Sequence, residues 1–256
     1  MEHKLNHMTS IVISENINNQ NNLFYIQSSI GELLSHANCS INTSNVNGRS
    51  ILLFNCPECY SDIIKTEIAD KVAEILAIKY KYEYFKKQVP ACGLSAIDRE
   101  ILLTSLIAAD LEDDKKYAFD RVKHYSNICV DGIYNFRLDA LKNKWEDIAC
   151  CIPSCFMNTQ LKDFIYYLLE NKKKRVYVDD GLVYDCHFRR LKRSMLLDGE
   201  SLKIIREILL SNCGEVELKG QIPKEDEYYL KEYYNDKYIF LNDIGNKKVD
   251  KIYFMV

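Results

Sequence analysis

Short apolar pieces alternate with Asn-rich polar ones along the first part of the chain. Ile11-Val12-Ile13 and Leu23-Phe24-Tyr25-Ile26 read as strands, separated by Asn16-Ile17-Asn18-Asn19-Gln20-Asn21-Asn22. Ile30, Leu33, Leu34 and Ala37 have helical spacing, and 38–48 reads as a loop. Arg49-Ser50-Ile51-Leu52-Leu53-Phe54 reads as a buried strand stopped by Asn55-Cys56-Pro57. From 61 to about 86, Ile64, Ile68, Val72, Ile75, Ile78 and Tyr82 recur in steps of three and four, which predicts one amphipathic helix. Pro90 and Gly93 end this first unit.

The middle of the chain keeps the helical period. Ser95 with Asp98 has the spacing of a capping box ahead of Ile97, Ile101, Leu102, Ser105, Ala108 and Ala109. A second helical pattern runs from 113 to 124. Asp131, with Gly132 beside it, is placed to cap a long helix whose seam is Tyr134, Leu138, Leu141, Trp145, Ile148 and Ile152. Ile133, Phe136 and Ala140 widen its apolar face, and Pro153 stops it. Thr159 is expected to cap a further helix through Leu161, Phe164, Ile165, Leu168 and Leu169. That helix is expected to end in Lys172-Lys173-Lys174-Arg175, where cations suit the negative end of the dipole.

Beyond that point the period shortens. Arg175-Val176-Tyr177-Val178 and Leu182-Val183-Tyr184-Asp185 flank Asp179-Asp180-Gly181, a hairpin signal. A helix near 201–211, a strand Glu215-Val216-Glu217-Leu218, a Tyr-rich helix near 224–234 and strands at 238–241 and 251–254 follow. The pattern as a whole predicts an α+β protein. Its parts are a small N-terminal α/β unit (1–92), a helical middle (93–173) and a C-terminal α/β unit opening with a β-hairpin (174–256).

With 256 residues, 47% of them hydrophobic and 28% charged, the chain resembles ordinary globular proteins in composition. A net charge of −3 argues against a dedicated nucleic-acid binder, whose affinity rests on neutralising phosphates. The first residues lack the apolar core of a signal peptide, and the run from 101 to 109 is too short to span a bilayer. These features point to a cytoplasmic protein without a transmembrane segment, in which the ten cysteines are reduced thiols. The bias toward Asn, Lys, Ile and Tyr suits AT-rich codons and a low-GC bacterial source.

Candidate chemistry is sparse. Cys56-Pro57-Glu58-Cys59 lies between a strand and a helix, as a dithiol redox motif does, where a helix N-terminus would lower a thiol pKa. The same Cys56 and Cys59 could supply half of a zinc site if two of Cys150, Cys151 and Cys155 met them in space. Asp131 and Arg137 could hold a ligand carboxylate or phosphate, or could cap the helix and pair with a neighbouring acid. Lys172, Lys173, Lys174 and Arg175 with Arg189, Arg190, Lys192 and Arg193 could form one basic patch for a nucleic acid or an anionic membrane. His124 and His187 have no nucleophile at a motif spacing, and neither GxxxxGK[ST] nor GxGxxG occurs. No catalytic residue and no cofactor is assigned.

Val130-Asp131-Gly132 followed by Phe136-Arg137-Leu138 resembles the YtxC-like family of sporulation proteins of endospore-forming bacteria. Asp163-Phe164-Ile165-Tyr166-Tyr167-Leu168-Leu169, the hairpin ending in Leu182-Val183-Tyr184-Asp185 and the helix–strand pair over 202–218 follow in the family's order. The resemblance covers about 95–220. It departs at the end, where Lys251-Ile252-Tyr253-Phe254-Met255-Val256 stands without the family's cysteine. It implies a sporulation-associated cytosolic protein and carries over no reaction. Together with the lack of a convergent catalytic set, it leads to the expectation of a non-catalytic protein that acts on a protein partner. A thiol redox or zinc protein, and a polyanion binder, are the alternatives.

Overall fold

The computed structural model of the protein describes residues 8–240. Its first sheet grows from a split β-α-β unit. Strand β1 (Met8–Asn16) places Ile11, Ile13 and Glu15 on one buried face, as the two-residue period of a strand requires. Helix α1 (Gln20–His36) crosses over to β2 (Ser40–Val46), and a two-residue turn returns the chain as β3 (Arg49–Pro57). Asn47 and Gly48 both have positive φ, +50° and +74°, the conformation whose twist matches paired strands. β3 lies between β1 and β2, antiparallel to both.

Two expectations fail in this region. Leu23-Phe24-Tyr25-Ile26 belongs to α1 rather than to a strand, because Leu23, Ile26, Ile30 and Leu34 form its buried stripe while Phe24 faces water. The supposed loop at 38–48 contains β2, an exposed edge strand whose polar residues never meet the core. An edge strand with both faces wet carries no apolar alternation to read.

The helix expected from 61 onward is real and unusual. It runs as α2 (Ser61–Ile75), a π-helical turn (Leu76–Tyr80) and α3 (Lys81–Gln88). Val72 to Ile78 is buried on every side, so this helix is an axle rather than a surface element. α1, α5 (Leu111–Val122) and α7 (Asp139–Cys151) pack around it, and α4 (Ala96–Ala108) packs on α3. Ser95 caps α4 through its hydroxyl, which accepts from the Asp98 amide at 3.1 Å. β4 (Asn127–Cys129), from the middle of the sequence, pairs in parallel with β1 and completes the order β2-β3-β1-β4.

The helix after β4 departs from expectation. α6 (Val130–Arg137) begins one residue before Asp131, which therefore sits in the first turn and is not the cap. Leu138, at φ −117° and ψ 26°, breaks the seam, and α7 starts afresh at Asp139. Leu138, Leu141 and Trp145 are buried, but Phe136 is 78% exposed rather than part of the apolar face. α8 (Asn158–Leu169) is capped at Met157, whose amide donates to Gln160 Oε1 at 2.9 Å, so Thr159 lies inside the helix. α8 stops at Leu169, and the lysines at 172–174 belong to the connection that follows it.

The second sheet begins with β5 (Arg175–Asp179) and β6 (Leu182–Tyr184), joined by Asp180 and Gly181 at positive φ. α9 (Lys203–Leu210) returns the chain to β7 (Glu215–Lys219), parallel to β5, and α10 (Lys224–Tyr234) leads to β8 (Tyr238–Phe240), parallel to β7. The order is β6-β5-β7-β8. The strand expected at 251–254 lies outside the described residues. Sheets and helices make an α+β fold whose buried side chains form one continuous cluster across both sheets. Among the described residues no helix is long and apolar enough to cross a membrane.

Candidate functional site

The segment 130–138 splits its side chains between two environments. Asp131 turns back to the sheet and takes a two-point contact from Arg49 of β3, at 2.5 and 3.0 Å. Arg49 also reaches Ser14 at 3.3 Å and the Cys129 sulfur at 3.1 Å. The guanidinium of Arg49, outweighing a smaller effect of burial, holds the Asp131 carboxyl below its ordinary range. A β-carbon on Gly132 would lie 2.8 Å from the Cys129 sulfur, so a larger residue there would displace that side chain.

Behind this pair, Glu15 is buried and accepts from Asn22 at 3.1 Å, from the Asn16 amide at 2.8 Å and from the Tyr80 hydroxyl at 3.0 Å. Burial pushes its carboxyl up. The Tyr80 ring packs at a tilt against Tyr134 (centroids 4.4 Å), and Tyr134 stacks on Trp145 (6.4 Å). The Trp145 indole donates to Asp114 at 2.9 Å. Asp114 also binds Lys81 at 2.7 Å and Lys144 at 2.6 Å, and Asp110 completes the group. Lys81 has no solvent-exposed surface. A second buried group centres on Glu74, which accepts from Tyr25 at 2.6 Å, Lys71 at 2.8 Å, Lys115 at 3.0 Å and Arg193 at 3.0 Å. Burial alone would raise the Glu74 carboxyl, but Arg193, Lys71 and Lys115 hold it well below the ordinary range.

Arg137 and Phe136 face the other way. They border an open cleft of about 480 Å³ between α5 and the bend from α6 to α7, opposite Tyr117, Arg121, His124 and Tyr125. The two acids of the cleft are engaged, Asp120 by Lys123 at 2.6 Å and Asp139 by Lys142 at 2.7 Å. Arg121 lies over the Tyr117 ring at 3.3 Å. Arg137 makes no ion pair among the described residues, so its charge is free within an aromatic surround. Asp131 and Arg137 are thus not partners in one site, and Arg137 does not pair with a neighbouring acid.

The basic patch is divided. Arg175 is held by Glu215 at 2.8 Å and by Glu217, and Arg189 by Asp185 at 2.9 Å. Lys192 donates to the Ser28 carbonyl at 2.6 Å. Arg193 points inward to Glu74 because that buried carboxylate requires countercharge, so it cannot belong to a surface patch. Lys172, Lys173, Lys174 and Arg190 remain without an acidic partner among the described residues, at the same end of the hairpin. Residues 189–191 fold back along the outer edge of β6, with Leu191 N to Val183 O at 2.8 Å.

Cys56 lies at the inner end of β3, where its thiol donates to the Thr9 carbonyl at 3.5 Å. It is not at a helix N-terminus, and burial pushes its thiol up. The thiol beside it is Cys39, pushed up to about 11 by burial and by Cys56 itself. Cys59 is exposed on the turn Glu58–Tyr60, and the backbone of Cys155 pairs with that of Cys92 rather than approaching this motif. Among the described residues no group of three or more His, Cys, Asp or Glu side chains is arranged to hold a metal. His124 borders the cleft and His187 is exposed on the turn after β6.

The buried ion groups escaped the sequence reading. Glu74 and Lys81 sit among apolar residues of the axle helix, and apart from Lys71, three residues before Glu74, their partners come from α1, the start of α5, α7 and the turn at Arg193, at no readable spacing. Protein-family models, curated proteins and solved structures contain no match to this chain.

Proposed function

We propose that this chain is a sporulation-associated protein of an endospore-forming bacterium, working in the cytoplasm by binding a protein partner rather than by catalysis. The observation that supports contact as its mode of action is the outward pair Phe136 and Arg137. An aromatic ring 78% exposed beside a guanidinium without an ion pair among the described residues is the combination that anchors protein interfaces. The partner that fits presents an apolar side chain next to a carboxylate, the ring taking the first and the planar guanidinium the second. The setting rests on the family resemblance of Val130-Asp131-Gly132 and Phe136-Arg137-Leu138.

The test compares the tagged full chain with a Phe136→Ala/Arg137→Glu variant in an endospore-forming host. Hot-spot residues of this kind account for about 2 kcal/mol or more each, so the variant should bind the partner at least roughly tenfold more weakly. Spore yield should fall with it while the thermal midpoint of the purified protein stays put. Equal retention of all proteins by both forms, with unchanged spore yield, refutes the reading.

A further inference from the structure

Cys92, in the connection from α3 to α4, and Cys155, in the connection from α7 to α8, meet across an isolated parallel bridge. The Cys92 amide donates to the Ser154 carbonyl at 2.9 Å, and the Phe156 amide donates to the Cys92 carbonyl at 2.8 Å. These two bonds flank the pair and fix its register. Residues opposed in this way sit roughly 4.8 Å apart, the spacing of neighbouring strands, and their side chains leave the ribbon on the same side. A disulfide spans Cα separations of about 4.4–6.8 Å. The next residue, Gly93, has φ +99°, and a β-carbon on it would fall 3.4 Å from the Cys155 sulfur. The sulfur therefore already lies against the chain segment that carries Cys92, in space kept open by a glycine. Both cysteines are exposed and free.

We propose that Cys92 and Cys155 form a thiol-redox site of this protein, converted to a disulfide by a low-molecular-weight disulfide. A thiolate of one cysteine attacks the external disulfide, breaking its S–S bond, forming a mixed disulfide and releasing one thiol. The second cysteine, as thiolate, then attacks the protein sulfur of that mixed disulfide and expels the second thiol. The two cysteines lose two electrons and two protons, and the external disulfide is reduced to two thiols. The new bond closes a covalent loop around α4, α5, β4, α6 and α7. The contrast with the other close pair is informative. Cys39 and Cys56 also face each other, but Cys56 is fully buried, which keeps oxidants and thiolate chemistry away.

Oxidised glutathione is the probe, applied to the full chain in its folded state, followed by peptide mapping without reduction. The expected product is a Cys92–Cys155 linked peptide lacking two hydrogens, with the thiols of Cys39 and Cys56 still free. Closing so long a loop should raise the thermal midpoint by roughly 5–10 °C over the reduced form, reversibly with dithiothreitol. Cys92→Ser and Cys155→Ser, both exposed replacements, should each abolish that shift and leave the remaining cysteine carrying glutathione. Glutathione on both cysteines without a linked peptide, or links from either to Cys150 or Cys151, overturns the proposal.

Discussion

At the scale of single residues, the protein is marked by charges taken out of water and then matched. Lys81 is the clearest. Its ammonium has no contact with solvent and is held by Asp110 and Asp114, with Lys144 and the Trp145 indole on the same acids. Removing one member of such a group leaves the rest buried and uncompensated, which costs about 3–5 kcal/mol, whereas replacing both partners of a pair by apolar residues of similar volume costs less. Lys81→Ala should therefore lower stability in urea at neutral pH by about that amount, and Asp114→Ala by at least as much because it also orphans the indole. The double change Lys81→Met/Asp114→Leu should cost less than the sum of the singles, which a double-mutant cycle by urea denaturation would read.

At the scale of elements, glycines separate tight joins from open ones. Gly214 stands where β7 begins beside the end of the 172–174 connection, and a β-carbon there would fall 2.0 Å from the Lys172 carbonyl oxygen. Backbone cannot step aside cheaply, so Gly214→Ala should destabilise by about 1–3 kcal/mol. Gly31, inside α1, has nothing within 4 Å of the same position, and Gly31→Ala should stabilise by about 0.5–1 kcal/mol through helix propensity. Thermal denaturation of the two variants should thus move in opposite directions. Elements also show where periodicity was a sound guide. The α9, β7 and α10 segments fall where their patterns put them, although α9 is buried from Ile204 to Leu210 and β7 lies between β5 and β8. The start of α1 reads as a strand because Phe24 and Tyr25 enrich an apolar run, although Leu23, Ile26 and Ile30 share one side of the helix. The break at Leu138 leaves no sign in the pattern, since its seam continues unchanged across it, and Leu138 is buried at the join of α6 and α7.

At the scale of the molecule, the axle helix 61–88 ties distant parts of the chain to one another through Glu74. Its partners come from α1, α2, α5 and the turn at Arg193. A carboxyl held below its ordinary value in the fold stabilises at pH above its unfolded value, and that stabilisation is lost as pH falls through the folded value. The share of stability that Glu74 contributes should therefore decline as the medium is acidified below about 4.5, the ordinary value of a glutamate. Asp198 should add a smaller share, because Lys79 and Lys86 outweigh its partial burial and bring it to about 2, but it is solvent-exposed enough for screening to weaken the effect. Glu74→Gln should be less stable than the parent at pH 7 by about 3–5 kcal/mol, with the gap narrowing in urea titrations between pH 5 and pH 2. A gap that stays constant with pH would show that Glu74 contributes by packing and not by charge.

The sequence by itself determined the α+β class, the hairpin at Asp180-Gly181, the long helix from Ser61 and the regular C-terminal alternation. Those features follow from local period and turn chemistry, which neighbouring residues along the chain carry. Only the tertiary structure decided that Arg193 leaves the supposed basic patch for Glu74, that Asp131 belongs to Arg49 while Arg137 faces open water, and that Cys155 meets Cys92. Each of these depends on which distant carboxylate, backbone carbonyl or sulfur is brought within a few ångströms. That distance is set by how the whole core closes and is written in no single stretch of the chain.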